Sequence, residues 1–504
     1  MRFTFEKDWE EKMKDKTPHL KGRGAVAEAR RVGFAREMPL RHFAVEGKPL
    51  ISPRDKRIYL DYAATSPTKP EVLKAMEPYF SENFGNPSSL HSFGQEARAA
   101  VDEARQKVAN FLNCKPTEII FTSGGTESDN LAIRGMVSSA TASLLKRTPP
   151  AVRSAPLRSR WSPLMRDESV ASLPHIITSS IEHHAVLHTC QDLEKQDLAE
   201  VTYLPVDKYG RVSVEDVKNA IKENTVLVSI MYANNEIGSI EPIREIGKMI
   251  ERVKKLKSEG VKEKNKKNSH FITSSLHHFP LFHTDAVQAI GYLNCDVKYL
   301  HVDMLSLSAH KFGGPKGIGV LYVKENVGIM PRITGGGQEY KKRAGTENVP
   351  AIVGLGAAIA TINSFATGEV LRRQSQQSTI NKIQKLRDRL IAGILRKIPD
   401  VVLTGHPTER LPNSASFCFK YIEGEAMLMN LDLQGVAASS GSACTSGSLE
   451  PSHVLLACGI DRETVQGSLR LTLGEKTTEQ EIDYVLKILP SIVKRLRKMS
   501  PFGK

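Results

Sequence analysis

Short apolar runs alternate along this chain with amphipathic stretches, and this alternation limits the possible folds more than any other feature. Residues 226–230 (VLVSI) follow the helix-like residues 214–222, and residues 318–323 (IGVLYV) form another apolar run. Strand-like and helix-like segments in alternation predict an α/β fold with a large, mainly parallel sheet. Residues 350–365 have the pattern of a long helix, which would lead into a smaller α+β domain. A chain of 504 residues has room for both domains.

A lysine and an aspartate suggest the first piece of chemistry. Lys311 follows a turn of small and hydroxyl-bearing residues, 306–310 (SLSAH), and Asp285 ends a short apolar segment upstream. A lysine amine can form a Schiff base with the aldehyde of pyridoxal phosphate (PLP), while a carboxylate keeps the pyridine nitrogen of that cofactor protonated. A lysine after a histidine is usually a solvated surface residue when taken alone. The motifs described next favour a PLP site.

A glycine-rich turn at residues 123–128 (SGGTES) connects an apolar run to a helix-like stretch. Free backbone N–H groups and a hydroxyl at such a turn can hold a phosphate group. The spacing matches neither a dinucleotide fingerprint nor a Walker A loop, so NAD and ATP are not indicated. Glycines also occur at strand–helix junctions for structural reasons, and the turn alone leaves both interpretations open.

Two further polar positions follow apolar runs. His183 can stack on a planar cofactor and transfer protons near neutral pH, although a lone histidine is more often structural. Asn234 and Asn235 offer amide donors that do not titrate, which suits contact with a cofactor oxygen or a carboxylate. The alternative for the two asparagines is an ordinary turn.

One of the six cysteines differs from the others in its surroundings. Cys444 lies in a run of Ser, Gly, Ala and Thr at residues 437–448, which predicts an exposed, mobile loop. A reactive thiol needs such access, so we interpret Cys444 as functional. The other five cysteines show no Cys-x-x-Cys or Cys/His cluster and are predicted to be free thiols. Neither a zinc site nor a disulfide framework is indicated, and a reducing compartment fits.

The net charge of +14 is concentrated in three segments. Residues 1–57, 137–174 and 251–270 carry net charges of +6, +4 and +5, which leaves −1 for the remainder. A nearly neutral core argues against a nucleic-acid partner, and charge runs of this kind are typical of solvated surface. The apolar segments are shorter than the ~18 residues that would suggest a membrane span. We therefore expect a soluble protein without nucleic-acid or membrane partners.

The same segments define the predicted organisation of the chain. Residues 1–57 form an N-terminal extension, disordered or targeting, with mitochondrial and cytoplasmic locations both open. Residues 58–365 form the large domain, interrupted near 137–174, which has the composition of a disordered surface loop, and near 251–281. The second interruption is either a lineage-specific loop or a mispredicted coding segment. Residues 366–504 form the small domain with the Cys444 loop.

Motifs spread through the chain resemble those of one enzyme family. They are residues 59–65 (YLDYAAT), 83–89 (NFGNPSS), 124–128 (GGTES), 182–183 (EH), 234–236 (NNE), 283–288 (HTDAVQ), 308–311 (SAHK), 335–339 (GGGQE), 343–346 (RAGT), 439–444 (SSGSAC) and 469–470 (LR). In this order they resemble the NifS/IscS-type cysteine desulfurases, which are class V aminotransferase-family enzymes with the fold of type I PLP-dependent transferases. The short cysteine loop is similar to the NifS/IscS group rather than the SufS-like group.

The resemblance implies a role for each matching residue. It implies Lys311 as the Schiff-base lysine, His183 as the residue stacked on the ring, Asp285 as the partner of the pyridinium nitrogen, and Gln288 as the partner of the ring oxygen. Gly125, Thr126, Ser308 and His310 would hold the phosphate, joined by Thr346 from the partner subunit of a homodimer. Asn235 would contact cofactor and substrate, Asn86 and Arg470 would bind the substrate carboxylate, and Cys444 would be the nucleophile.

The implied reaction converts L-cysteine to L-alanine and leaves a persulfide on Cys444. A sulfur-acceptor protein, such as an iron–sulfur scaffold, would then receive the sulfur. Two alternatives of different kinds remain. One is another PLP enzyme of this fold, such as a selenocysteine lyase or an aminotransferase, although an aminotransferase has no need of a cysteine in a mobile loop. The other is a non-enzymatic scaffold, which the presence of both Lys311 and Cys444 disfavours.

Overall fold

The computed structural model describes residues 57–147, 172–267, 280–362, 370–441 and 450–500. The predicted extension before Arg57 and the predicted nucleophile Cys444 lie outside these ranges. None of the helices in the described ranges combines the length and the apolar character needed to cross a membrane.

Helices and strands alternate over most of the described chain, as the sequence predicts. The strands are β1 (Ile58–Tyr59), β2 (Ile119–Thr122), β3 (His175–Ser179), β4 (Glu200–Leu204), β5 (Thr225–Ser229), β6 (Leu281–Asp285), β7 (Met304–Ser308), β8 (Gly319–Val323), β9 (Val401–Leu403), β10 (Ser414–Phe419), β11 (Val436–Ala437) and β12 (Ser468–Thr472). The helices are α1 (Pro70–Met76), α2 (Pro78–Ser81), α3 (Ser92–Leu112), α4 (Gly125–Arg147), α5 (His184–Lys195), α6 (Val214–Ala220), α7 (Ile243–Lys267), α8 (Val297–Leu300), α9 (Val349–Thr361), α10 (Val370–Lys397), α11 (Gly424–Asp432), α12 (His453–Ala457), α13 (Arg462–Gln466) and α14 (Glu479–Met499).

The largest sheet has seven strands in the order β2-β8-β7-β6-β5-β3-β4. Strand β8 is antiparallel to both of its neighbours, and strands β7, β6, β5, β3 and β4 pair in parallel. The central strands are buried along their whole length because helices cover both faces of the sheet. Ile176 therefore packs on the face covered by α4 and α5, whereas Ile177 packs on the opposite face. The predicted α/β fold with a mainly parallel sheet is confirmed.

The remaining strands form two small sheets. Strands β12, β10 and β9 pair antiparallel, and the core around Phe417 also includes Leu390 of α10 and Leu489 of α14. Strand β1 pairs in parallel with β11, and Leu60 packs into this same C-terminal core. The first strand of the described chain thus packs with the last part of the chain, which the sequence does not indicate.

Two helices extend into segments that the sequence marks as insertions. Helix α4 continues to Arg147 and buries Val137 and Ala140, although residues 137–174 have the composition of a disordered loop. Helix α7 likewise continues to Lys267. In α4 the apolar positions continue the buried stripe begun by Ile133 and Met136, so packing overrides the loop-like composition.

Candidate active site

Lys311 lies just beyond the carboxyl end of strand β7, in a 3₁₀ turn spanning Ala309–Lys311. Its Nζ donates hydrogen bonds to the carbonyl oxygens of Ala63 (2.5 Å) and Ala64 (2.9 Å). Gln288 Nε2 donates to the same Ala63 carbonyl at 3.0 Å. Lys311, the predicted Schiff-base lysine, and Gln288, the predicted partner of the ring oxygen, therefore contact the same backbone carbonyl oxygen.

Asp285 ends strand β6, next to β7, with its side chain buried. Its Oδ1 accepts a hydrogen bond from Val287 N at 2.9 Å. Burial raises the pKa of the Asp285 carboxyl to about 6, while that hydrogen bond and the nearby Lys311 ammonium act to lower it. A cation placed beside this carboxylate would be held strongly, as a pyridinium nitrogen requires.

A buried polar cluster lies next to Asp285, and none of its members was assigned a role from the sequence. Residues 283 and 285 share one face of β6 because side chains alternate along a strand. His283 Nδ1 lies 2.9 Å from Ser229 Oγ, and its Nε2 lies 3.0 Å from Ser306 Oγ and 3.7 Å from Asp129 Oδ1 on α4. Burial lowers the pKa of His283 to about 3, so the ring is neutral at physiological pH.

His183 is the N-cap residue of α5, and its Nδ1 accepts a hydrogen bond from Ala185 N at 3.1 Å. Burial, the Lys311 charge and neighbouring histidines lower the pKa of His183 to about 4. A neutral, half-buried ring near Lys311 can stack on a planar cofactor without bringing a second positive charge.

The glycine-rich turn lies against the strand ends that carry Asp285 and Ser308. Gly124 has a φ of +152°, a conformation that side chains rarely adopt, and helix α4 starts at Gly125. A Cβ at Gly125 would come within 2.7 Å of Val287 Cγ2 and 3.8 Å of Ser308 Cβ. The start of α4, where backbone N–H groups are free to bind an anion, is thus held close to Ser308.

The other predicted phosphate ligands are Thr126, His310 and Thr346. His310 Nδ1 lies 3.2 Å from Thr65 Oγ1, and burial lowers its pKa to about 4, so this ring is also neutral. Thr126 lies in the first turn of α4. Its neighbour Glu127 forms an ion pair with Arg343 at 3.0 Å, which brings the 343–346 turn of the same chain close to α4. Thr346 itself is exposed, and its predicted contribution to a partner subunit stays a prediction.

Arg470 on β12 is almost fully buried, with 2% of its side chain exposed. Its Nη1 donates to the carbonyl oxygen of Asn235 (2.7 Å), and its Nη2 donates to Asp61 Oδ1 (3.0 Å). Arg470 Nε is buried and makes no hydrogen bond within the described residues. An unpartnered guanidinium N–H fits the predicted role as a carboxylate donor. Asp61 was not singled out from the sequence.

Asn86 is not brought to Arg470 by any contact among the described residues. It lies on an exposed loop, where its Oδ1 accepts a hydrogen bond from Ser88 N at 2.9 Å. Its predicted substrate contact stays a prediction.

The five cysteines within the described ranges are free thiols, as predicted: Cys114, Cys190, Cys295, Cys418 and Cys458. Burial raises the pKa of all five thiols, and that of Cys418 reaches about 12. Because the thiolate is the nucleophile, none of these five suits nucleophilic chemistry at neutral pH. The described ranges contain no group of three His, Cys, Asp or Glu residues that could hold a metal ion.

These residues fit PLP. A lysine, a buried carboxylate and a neutral imidazole lie at or beyond the carboxyl ends of strands β7, β6 and β3 of one sheet. The start of α4 lies close to β6 and β7 because glycine occupies residue 125. Binding at the carboxyl edge of an open α/β sheet is the general rule for such folds.

The chain is similar to known proteins over most of its length. The aminotransferase class-V family profile matches residues 58–145, 165–257 and 271–485. Cysteine desulfurase IscS from Methanosarcina thermophila is 49% identical over 451 residues, which cover 90% of this chain and 95% of that protein. The chain belongs to the cysteine desulfurase family of class V PLP enzymes. The two gaps in the profile, at 146–164 and 258–270, are shorter than the interruptions that the sequence predicts.

Other proteins are also similar to this chain over most of its length. Cysteine desulfurase IscS from Dictyoglomus turgidum is 44% identical over 447 residues, covering 89% of this chain and 97% of that protein. A solved NifS-like protein superposes with a TM-score of 0.69 at 33% identity, over 88% of this chain and all of that one. The solved structure of SspA in complex with cysteine superposes with a TM-score of 0.63 at 32% identity, over 84% of this chain and all of that one.

Proposed function

We propose that this protein is a PLP-dependent cysteine desulfurase that converts L-cysteine to L-alanine and passes the sulfur to an acceptor protein. The observation that carries the proposal is the placement of Lys311 and Asp285 beyond the ends of adjacent strands, with a buried Arg470 Nε left for a carboxylate. The family membership and the relatives named cysteine desulfurase support the choice of reaction.

Each residue of the site has a separate proposed role. Asp285 would hold a positive charge at the pyridine nitrogen of PLP, and the neutral His183 ring would stack on the cofactor. Bound PLP supplies an electron sink for the negative charge that develops at the substrate Cα. Lys311 Nζ moves the proton at that Cα, and Arg470 fixes the substrate carboxylate so that the Cα–H bond is correctly oriented.

Cys444 is proposed as the nucleophile. Its thiolate attacks the substrate sulfur, so that an S–S bond forms as the substrate C–S bond breaks. The electron pair of the C–S bond stays on the substrate side, and the substrate Cβ takes up a proton before alanine leaves. The raised thiol pKa values of the five described cysteines disfavour them for this step. The persulfide on Cys444 would then pass to an external acceptor, for which an iron–sulfur scaffold is the proposed class.

We also propose a homodimer, in which Thr346 completes the phosphate site of the partner subunit. Thr346 is exposed and lies in a turn held near α4 by the Arg343–Glu127 ion pair. Sedimentation of the purified protein tests this assembly, because a fully active monomer would contradict it.

The function is tested by incubating the purified, PLP-loaded protein with L-cysteine and measuring alanine and sulfide in the presence of a thiol reductant. Cys444→Ser should keep the absorbance of bound PLP and lose persulfide and sulfide production. Mass spectrometry should locate the persulfide on Cys444, and a persulfide on another cysteine would overturn the assignment. Parallel assays with L-selenocysteine separate a desulfurase from a selenocysteine lyase, which would turn over selenocysteine alone.

A further inference from the structure

Asp61 is the immediate partner of the carboxylate-binding arginine. Its Oδ1 accepts the Arg470 Nη2 hydrogen bond at 3.0 Å, and its Oδ2 accepts one from Ser439 Oγ at 2.8 Å. Asp61 side-chain exposure is 16%, against 2% for Arg470, so solvent screens this ion pair little. Both carboxylate oxygens are occupied, and the side chain therefore has one defined orientation.

The backbone at Asp61 is fixed as firmly as its side chain. Asp61 forms a parallel bridge with Thr472 of β12, and Leu60 N donates to the carbonyl oxygen of Ala437 on β11 at 2.9 Å. Ser439 pairs with Arg470 itself through backbone hydrogen bonds of 2.7 and 3.3 Å. Three segments distant in the sequence thus fix the carboxylate in front of the guanidinium.

The contacts of Arg470 leave N–H donors for a ligand. A guanidinium has five N–H groups; one on Nη1 binds the Asn235 carbonyl oxygen, one on Nη2 binds Asp61, and Nε is a buried donor without a partner among the described residues. A rigid fork of N–H groups recognises a carboxylate through its orientation. Asp61 sets that orientation, so that the N–H groups left for a ligand keep one direction.

The negative charge of Asp61 has the opposite effect, because it weakens the binding of a carboxylate at Arg470. A substrate carboxylate at Arg470 must share the guanidinium with an existing anion. A second carboxyl group, Glu236, also lies close to Arg470, and its Oε2 accepts a hydrogen bond from Ser452 Oγ at 2.5 Å. Like charges near one site weaken the binding of a further anion, so Asp61 lowers carboxylate affinity while it improves geometry.

We propose that Asp61 is a positioning residue that orients Arg470 for the amino-acid carboxylate and keeps the affinity for that carboxylate low enough for product release. This inference rests on the proposed function, because it takes Arg470 as the carboxylate site of an amino-acid enzyme. Charge and geometry make separable contributions, since asparagine retains the shape and the Oδ1 acceptor of aspartate. It removes the charge and places an amide Nδ2 at the position of Oδ2, where that group can donate to Ser439 Oγ.

The experiment is calorimetric titration of the PLP-loaded full chain with L-alanine and with L-alaninamide, which lacks the carboxylate. Asp61→Asn should bind L-alanine about fivefold more tightly than the wild type, because the competing charge is gone and the orientation is kept. Its affinity for L-alaninamide should not change. Asp61→Ala should bind L-alanine roughly tenfold more weakly than Asp61→Asn, because the guanidinium loses its orienting partner.

Ser439→Ala is the companion variant, since it keeps the Asp61 charge and removes one of its two anchors. We expect weaker L-alanine binding than in the wild type, opposite in sign to Asp61→Asn. Asp61→Asn and Ser439→Ala together test the proposal even if Asp61→Ala does not fold. The proposal is overturned if Asp61→Asn binds L-alanine no more tightly than the wild type, or if both ligands change in parallel.

Asp388→Asn supplies a matched control, because Asp388 also pairs its carboxylate with a buried arginine, Arg387, at 2.7 Å. It should leave the affinity for both ligands unchanged. Failure of the proposed function would appear separately, as a wild type that binds L-alanine and yields no sulfide from L-cysteine. In that case the ligand comparison still reports on Asp61.

Discussion

The cofactor half and the carboxylate half of this active site are held in place by different means. Asp285 and Ser308 end adjacent strands of one sheet, and Lys311 lies one short turn beyond. Arg470 instead belongs to a separate three-stranded sheet and is oriented by Asp61 and Asn235, residues far from it in the sequence. Strand pairing fixes the first half, whereas an ion pair and a carbonyl contact fix the second. Substitutions in the cofactor half should therefore abolish the reaction, whereas substitutions in the carboxylate half should reduce activity or binding by degrees.

The largest effect is expected from Lys311→Ala. With no amine at residue 311, bound PLP loses its covalent link, and the visible absorbance band of the lysine-bound cofactor should vanish. Alanine production from L-cysteine should fall to the uncatalysed level. Absorbance spectra of the two proteins, recorded at equal PLP content, check the prediction. Equal bands would remove Lys311 from its assigned role.

Arg470→Lys should give a smaller effect of a different kind. A lysine keeps the positive charge and loses the planar fork, so kcat/KM for L-cysteine should fall by roughly a hundredfold, mostly through KM. Arg389→Lys is the matched control, because Arg389 forms an exposed ion pair with Asp483 at 2.6 Å. Steady-state kinetics of both variants make the comparison. A loss in kcat alone would place Arg470 on the chemical step rather than on binding.

In the cofactor half, replacing Asp285 should change the stability of the protein by an amount that depends on pH. The pKa of Asp285 is about 6 in the folded protein, above the usual value of ~3.9 for an unfolded chain. Between these values the folded state binds the extra proton, so the free energy of unfolding falls as pH rises from about 4 to 6. Well above pH 6 the PLP-free Asp285→Asn variant should be more stable than the wild type by about 3 kcal/mol, and at pH 4 the difference should be less than about 1 kcal/mol.

Urea unfolding of both PLP-free proteins from pH 4 to 8 measures this difference. Loading with PLP should reduce it, since a pyridinium nitrogen supplies the missing counter-charge. A difference that does not depend on pH would mean that Asp285 is already ionised in the unloaded protein throughout the range.

The smallest effect is expected from the removal of residues 148–171. Replacing residues 148–171 by a short Gly/Ser linker should change desulfurase activity by no more than about threefold, because loop-closure entropy varies slowly with length. A deletion that also removes 137–147 should lower the melting temperature markedly, because Val137 and Ala140 are buried against the sheet. Thermal melts and sulfide assays compare the two deletions. Equal tolerance of both would show that the end of α4 contributes nothing to stability.

Residues of the cofactor half could be named from the sequence because their determinants are local. An apolar run that ends in a polar residue marks a strand end, and Asp285, Lys311 and the glycine-rich turn each follow such a run. The carboxylate half was predicted through family resemblance, at Arg470, Asn86 and Asn235. Asp61 and Ser439 carry no local signal, since they meet Arg470 only when β1 pairs with β11. The extent of α4 was missed because a Ser/Ala-rich composition conceals the periodicity of its buried face.

The pairing of β1 with β11 also bears on how the enzyme is made. During synthesis Ile58 and Tyr59 leave the ribosome well before their partners Val436 and Ala437. Domains tend to fold as the chain emerges, and contacts between distant segments form late. The seven-stranded sheet can thus assemble around Lys311 before Asp61 reaches Arg470. A nascent or truncated chain would then carry a cofactor site but no oriented arginine, so amino acids would meet a competent carboxylate site only on the finished protein.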